Sequence, residues 1–136
     1  MAIIKEQTFK ILIASENMNF RNILAGKLRM LENFEVEFAT GGFHLLHLLE
    51  HKKDYNMIIC NEDMNDMSAQ EIISLVRIEK AKAELPILFI SKNGSEEEIC
   101  DMVFMGANDY IVQTANFQPI LERAQKYLHQ MKANAA

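Results

Sequence analysis

Polar side chains that could do chemistry follow four short apolar runs of the sequence. These residues are Ser15, Glu16 and Asn17, then Asn61, Glu62 and Asp63, then Ser91 and Lys92, and finally Gln113 and Thr114. The carboxylates of Glu16 and Asp63 are oxygen ligands of the kind that Mg²⁺ and Ca²⁺ prefer. One or two carboxylates without further geometry rarely hold such an ion, so we interpret both as solvated loop residues. We therefore expect no cofactor, and magnesium binding that is weak or absent.

Three histidines, His44, His47 and His51, recur at spacings of three and four residues. In a helix this spacing places them on one side, where imidazoles can reach one metal ion. No cysteine or acidic residue is placed by the sequence to complete a site, so ordinary surface residues are the favoured interpretation. Cys60 and Cys100 are interpreted as reduced thiols, Cys60 as a small apolar residue of a strand and Cys100 as a residue of a helix.

The elements that must position these residues alternate between strands and helices. Apolar runs predict strands over residues 9–14, 34–38, 57–60, 87–90 and 109–112. Helical spacing predicts helices over 18–31, 43–53 and 117–131, and capping boxes at Ser68 and Ser95 predict two more. Strands joined by such helices imply a parallel sheet with right-handed crossovers and helices on both faces. Binding sites in these sheets form at the carboxyl ends of the strands, where the polar residues lie.

Length and composition limit the class of protein. The chain has 136 residues, 49% of them hydrophobic, which is typical of one globular domain over residues 1–136. A formal charge of −5 and scattered bases disfavour binding to nucleic acid or to an anionic membrane. No apolar run approaches the roughly 20 residues of a membrane helix, and the N-terminus lacks the apolar region of a signal peptide. We therefore expect a cytoplasmic protein.

Four segments resemble the receiver domain of bacterial two-component response regulators. Residues 10–17 resemble its first strand and acidic turn, and residues 56–69 resemble its third strand and phosphorylation loop. Residues 85–91 resemble the fourth strand with its switch hydroxyl, and residues 106–113 the fifth strand with its switch aromatic. The resemblance covers a core of about residues 8–131. It implies a flavodoxin-like α/β fold whose five-stranded parallel sheet has the order 2-1-3-4-5.

The sequence departs from the family at the residues that carry phosphoryl chemistry. The family's pair of adjacent acids is replaced by Ser15 and Glu16, and its phosphoacceptor aspartate by Asn61. The lysine after the fifth strand is replaced by Gln113. Phosphoryl transfer needs an ionised nucleophile, and the oxygen of a neutral amide is a poor one. A glutamine also offers only a dipole where the lysine would offer a cation.

The altered pocket is predicted to hold a neutral hydrogen-bonded network. Its members are Ser15, Asn61, Ser91 and Gln113. The resemblance then implies a degenerate pseudo-receiver that is not an enzyme. We expect a stand-alone, phosphorylation-independent protein-interaction module in bacterial signal transduction, because the chain leaves no room for an output domain. The family docks and dimerises through its fourth helix, fifth strand and fifth helix, so we expect a signalling partner or a second copy at about residues 95–131.

Two alternatives stay open. The first is a phospho-receiver whose chemistry has moved to Glu16 and Asp63, and the second is a receiver-like domain that binds a small ligand or a metal. A flavodoxin-type cofactor is disfavoured because residues 15–20 do not form a phosphate loop rich in Ser, Thr or Gly.

Two residues match the family's switch, Ser91 and Tyr110. Ser91 could act as a switch hydroxyl or as a strand-end hydroxyl bonded locally, and both interpretations stay open. For Tyr110 we favour a packed ring with a wet hydroxyl over a rotameric switch. Met102 and Met105 are interpreted as core residues, with an adaptable binding surface as the alternative.

Overall fold

Strands and helices alternate along the described chain, as the sequence predicts. The computed structural model describes residues 8–52 and 54–135. Its elements are β1 (Phe9–Ala14), α1 (Met18–Leu31), β2 (Phe34–Ala39), α2 (Gly42–His51), β3 (Met57–Asn61), α3 (Ala69–Glu79), β4 (Ile87–Ser91), α4 (Glu96–Met105), β5 (Asp109–Val112) and α5 (Gln118–Ala135).

The boundaries differ from the predicted ones by small amounts. β2, β3 and β4 each extend one residue further, and α5 continues to Ala135. α2 ends at His51 because the backbone of Lys52 is extended, and residue 53 lies outside the described residues. No helix in the part of the chain that the structure describes is long and apolar enough to cross a membrane.

The five strands form one parallel sheet in the order β2-β1-β3-β4-β5, which confirms the predicted order. Ala14, at the end of β1, pairs with Ala39 on one side and Cys60 on the other. Ser91, at the end of β4, pairs with Val112 of β5. Because all strands run the same way, their carboxyl ends meet at one edge of the sheet. The polar residues that follow the strands are therefore brought together there.

The sheet is packed on both faces because its strands are apolar on both sides of the pleat. On β1, Ile11 and Ile13 face α1 and α5, whereas Leu12 and Ala14 face α2, α3 and α4. All four side chains are completely buried. Burial of each Ile or Leu side chain contributes roughly 1.5–3 kcal/mol to stability. The two layers of helices hold the sheet, and hence its carboxyl edge, in one arrangement.

Polar side chains begin three of the helices. Ser68 and Ser95 cap α3 and α4, and each hydroxyl accepts at 3.1 Å from the N–H three residues later. Asn17 caps α1 in the same way at 3.0 Å. Such a cap stabilises a helix by about 1 kcal/mol. Both capping-box serines are thus confirmed as N-caps, and Asn17, in the turn between β1 and α1, has a structural role.

The start of α2 is capped from a distant part of the chain. Asp66, in the loop after β3, accepts from Gly42 N–H at 2.9 Å and from Phe43 N–H at 3.1 Å. These two bonds favour the ionised carboxylate and so lower the pKa of Asp66. A Cβ atom on Gly41 would lie only 2.8 Å from Asp66 Oδ2. Glycine at this position therefore leaves the space that the distant cap requires.

Candidate functional site

A polar cleft opens at the carboxyl edge of the sheet, where the sequence predicts a site. Its volume is about 610 Å³. The predicted site residues in its walls are Ser15, Glu16, Asn61, Asp63 and Gln113. They follow β1, β3 and β5 or end them, so the structure confirms that parallel strands bring them together.

Asn61 and Ser15 are joined at the floor of the cleft. Asn61 Nδ2 donates to Ser15 Oγ at 2.6 Å, and the same oxygen accepts from Asn17 N–H at 3.1 Å. Ser15 is completely buried, and its carbonyl accepts from Arg21 Nη1 at 2.7 Å. The end of β3 thus carries a neutral amide that donates to a buried hydroxyl. An ionised carboxylate at the same position would have no proton to donate.

The other end of the Asn61 amide is an unused acceptor. Asn61 Oδ1 is buried and has no hydrogen-bond partner among the described residues. A buried polar atom without a partner costs free energy, so this oxygen lowers the stability of the cleft floor.

Glu16 is held by the loop that follows β3. Its Oε1 accepts from Asn65 N–H at 2.5 Å, and its Oε2 accepts from Asn65 Nδ2 at 3.0 Å. Both carboxylate oxygens therefore bridge two loops across the rim of the cleft. No signal in the sequence singled out Asn65, which is 49 positions from its partner.

Asp63, the other candidate metal ligand, lies on the rim of the cleft. The Asp63 carboxylate faces Lys92 Nζ at 3.9 Å, and both side chains are well exposed. Exposed ion pairs of this kind contribute little stability. Across residues 8–52 and 54–135, no group of three or more His, Cys, Asp or Glu side chains converges as metal ligands do. Weak or absent magnesium binding at Glu16 and Asp63 stays a prediction.

The predicted four-residue network is wrong in part. Ser91 Oγ turns away from the cleft, donates to the Asn93 carbonyl at 2.5 Å and accepts from Asn93 N–H at 3.3 Å. Gln113 donates its backbone N–H to the Ser91 carbonyl at 2.7 Å. No hydrogen bond in the described structure joins the Gln113 side chain to Ser15 or Asn61. A strand-end serine finds a partner in its own turn, so the network shrinks to the Ser15–Asn61 pair.

Tyr110 is fixed at the rim by a carboxylate to which the sequence assigned no role. Its hydroxyl donates to Glu62 Oε2 and lies 3.4 Å from the Asn93 carbonyl. Burial, followed by the hydrogen bond to Glu62, raises the pKa of Tyr110 to about 12. A Cβ atom on Gly94 would lie 2.7 Å from the ring, so the loop after β4 packs directly on it. The packed ring is as predicted, but its hydroxyl is bonded to Glu62.

An exposed apolar surface lies on α4 and β5. Met102 is buried, as predicted, whereas Met105 is 37% exposed. Phe104 is 93% exposed and stands beside Val103 and Met105, with Val112 of β5 also exposed. The sequence carried a signal for this surface in the run of four apolar residues from 102 to 105. Four consecutive residues of a helix cannot all face the protein core, so some of them must be exposed. α4 also carries four acidic residues and no basic one.

Comparisons with known proteins agree with this geometry. The family model for the response regulator receiver domain matches residues 11–125. A chemotaxis protein CheY homologue of Campylobacter jejuni is 27% identical over 119 residues, which cover 88% of this chain and 92% of the relative. Chemotaxis protein CheY1 of Helicobacter pylori is 25% identical over 119 residues, with 88% and 96% coverage.

Solved structures show the same fold. The chemotaxis response regulator CheY4 of Vibrio cholerae has a TM-score of 0.78 at 24% identity, covering 89% of this chain and 99% of that one. The receiver domain of a putative Luxo repressor protein from Vibrio parahaemolyticus has a TM-score of 0.82 at 15% identity, covering 95% of this chain and 96% of that one. The family match spans most of the sequence and the fold agrees with it, so this chain belongs to the response regulator receiver domain family.

Proposed function

We propose that this protein is a non-enzymatic pseudo-receiver that signals by docking to another protein, independently of phosphorylation. The observation that carries the proposal is the Asn61 amide at the acceptor position, which donates to the buried Ser15 hydroxyl at 2.6 Å. An amide cannot supply the ionised nucleophile that forms an acyl phosphate.

The remaining charges around the cleft support the same conclusion. Phosphoryl transfer relies on metal ions and cations that neutralise developing charge. Glu16, the remaining acid of the family's pair, already accepts two hydrogen bonds from Asn65. Gln113 stands where the family has its lysine, and Lys92 pairs with Asp63 on the rim. We infer that the cleft has neither the metal site nor the cation that the family's reaction requires.

Docking is assigned to the surface formed by α4, β5 and α5, over about residues 95–131. Its centre is Phe104, and aromatic residues are frequent anchors in protein interfaces. The partner is a signalling protein or a second copy of this chain. The relatives named as chemotaxis proteins make a signalling partner the expected class.

The phosphorylation test is incubation with acetyl phosphate and Mg²⁺, followed by intact-mass measurement. We expect no phosphoryl adduct on the parent chain. The comparison variant is Ser15→Asp/Asn61→Asp/Gln113→Lys, which restores the acid, the acceptor and the cation together. A phosphoryl group on the parent chain would contradict the proposal. Its mapping to Asp63 would favour the alternative in which the chemistry has moved to Glu16 and Asp63.

A further inference from the structure

The solvent face of α2 carries two imidazoles in contact. His47 and His51 are one helical turn apart, and their ring centroids are 4.1 Å apart with an interplanar angle of 33°. Both residues are exposed. Histidines spaced by four on one helix face can bind one metal ion together.

The proton on the His51 ring is placed by a hydrogen bond. His51 Nδ1 lies 2.9 Å from the carbonyl oxygen of His47. A carbonyl oxygen only accepts, so Nδ1 carries a proton, and in the neutral ring Nε2 keeps its lone pair. Histidines that bind metals generally donate their second ring N–H to a carbonyl or carboxylate in this way. The structure therefore holds His51 in the tautomer of a metal ligand.

His44, the third histidine of the face, is held in the opposite tautomer. Its Nδ1 accepts from Thr40 N–H at 3.0 Å, so in the neutral ring the proton lies on Nε2. A protonated nitrogen is a donor and cannot bind a metal ion. The three-histidine site that spacing alone allows is thus reduced to His47 and His51.

We propose that His47 and His51 bind a divalent transition-metal ion, with water completing its coordination. Imidazole nitrogen suits Cu²⁺, Ni²⁺ and Zn²⁺, whereas Mg²⁺ prefers oxygen ligands. The site lies on the outer face of α2, opposite the buried Leu45, and is separate from the cleft. Its occupancy does not depend on the function proposed above.

The test uses the full chain with Cys100→Ser, because the exposed thiol of Cys100 would compete for metal. Cu²⁺ alone is titrated while imidazole NMR signals are followed, and Zn²⁺ affinity is measured by calorimetry. We expect the His47 and His51 signals to broaden first. His47→Ala and His51→Ala should each weaken Zn²⁺ binding by at least about tenfold. Mutation of a residue that only hydrogen-bonds a metal ligand already lowers metal affinity by about tenfold or more, and loss of a ligand should cost at least as much.

His44→Ala is the matched control on the same face, and His129→Ala is the control on α5. Each should change the affinity by less than about twofold, the scale of a neutral surface substitution. Equal broadening of all four histidines would overturn the proposal. So would an affinity unchanged in His47→Ala or His51→Ala, or a loss in His44→Ala as large as theirs. Circular dichroism of each variant checks that α2 is still formed.

Discussion

At the end of β3, the Asn61 amide donates a hydrogen bond that an ionised aspartate in the same place could not donate. The acceptor is the hydroxyl of Ser15, which is completely buried. Glu16 does not take part, because both of its oxygens bond Asn65. The cleft floor is therefore neutral because of the Ser15 and Asn61 side chains. A change at either residue is expected to act on this part of the cleft.

Asn61→Asp should lower the free energy of unfolding by about 1–3 kcal/mol at neutral pH, because a negative charge enters a partly buried position where Gln113 offers no cation. These conditions raise the folded-state pKa of the new acid above its unfolded value. The penalty is therefore full above the folded pKa and disappears below the unfolded one. Urea melts across pH measure it. Asn33→Asp, an exposed change of the same charge, is the control. A variant as stable as the parent at neutral pH would contradict this account.

Tyr110 should titrate first among the three tyrosines of the native protein. Its pKa is raised to about 12, and those of Tyr55 and Tyr127 are raised further by burial and by carboxylate partners. A raised pKa means that the stabilisation is complete below the unfolded value near 10 and is lost as pH rises through 12. Ultraviolet titration of the parent and of Tyr110→Phe checks this. An unchanged first step in Tyr110→Phe would show that another tyrosine titrates there.

Among the elements, α2 depends most clearly on a contact that is distant in sequence. Its N-terminal residues are glycine and phenylalanine, and Gly41 offers no side chain to cap them. The loop after β3 supplies the cap through Asp66, and the same loop supplies Asn65 to Glu16. This loop thus ties β1, α2 and β3 together around the cleft.

Asp66→Ala should destabilise the protein by about 1 kcal/mol at neutral pH, the usual value of a lost N-cap. The pKa of Asp66 is lowered by the N–H groups of Gly42 and Phe43. Its contribution is therefore present above its unfolded pKa and is lost as pH falls through the folded one. Denaturant melts at neutral and acidic pH measure this. The free energies of unfolding of the parent and of Asp66→Ala should converge as the pH falls. The control is Asp101→Ala, since Asp101 is an exposed acid on α4. Equal losses in both variants would rule out a specific cap.

At the scale of the whole molecule, the two sides of the sheet present different surfaces. On the face covered by α2, α3 and α4, the acidic helix α4 itself carries the exposed Phe104. On the other face of the sheet, α1 presents Met30, which is 90% exposed but stands among basic residues such as Lys27 and Arg29. Phe104 and Met30 are thus exposed apolar side chains in different electrostatic settings, so substituting each in turn distinguishes the two surfaces in a docking test.

Phe104→Ser should leave stability within about 0.5 kcal/mol of the parent, because the side chain is almost fully exposed. It should abolish docking. Parallel pull-downs with the parent, Phe104→Ser and Met30→Ser as baits test this, together with sedimentation of each chain for self-association. A partner or a self-association lost in Phe104→Ser and kept in Met30→Ser is the expected result. Equal capture by all three baits would place the docking surface elsewhere.

The sequence by itself determined the order of elements and the edge at which the site lies. Apolar runs, caps such as Ser68 and Ser95, and helical spacing are local features, so they predict elements to within a few residues. Parallel strands meet at one edge, so residues after β1, β3 and β5 could be placed together before any contact was known. The neutral amide of Asn61 at the end of β3 is likewise a fact of the sequence.

Only the tertiary structure decided which side chains bond to each other. Asn65 reaches Glu16 and Glu62 reaches Tyr110 across nearly fifty positions of sequence. Such pairs depend on how loops from different strands pack, and local pattern carries no information about that packing. The same holds for Ser91, whose hydroxyl bonds the carbonyl of Asn93 in its own turn and no cleft-floor residue that the structure describes. Side-chain rotamers and proton positions depend on the residues in contact, and the tertiary fold determines which residues those are.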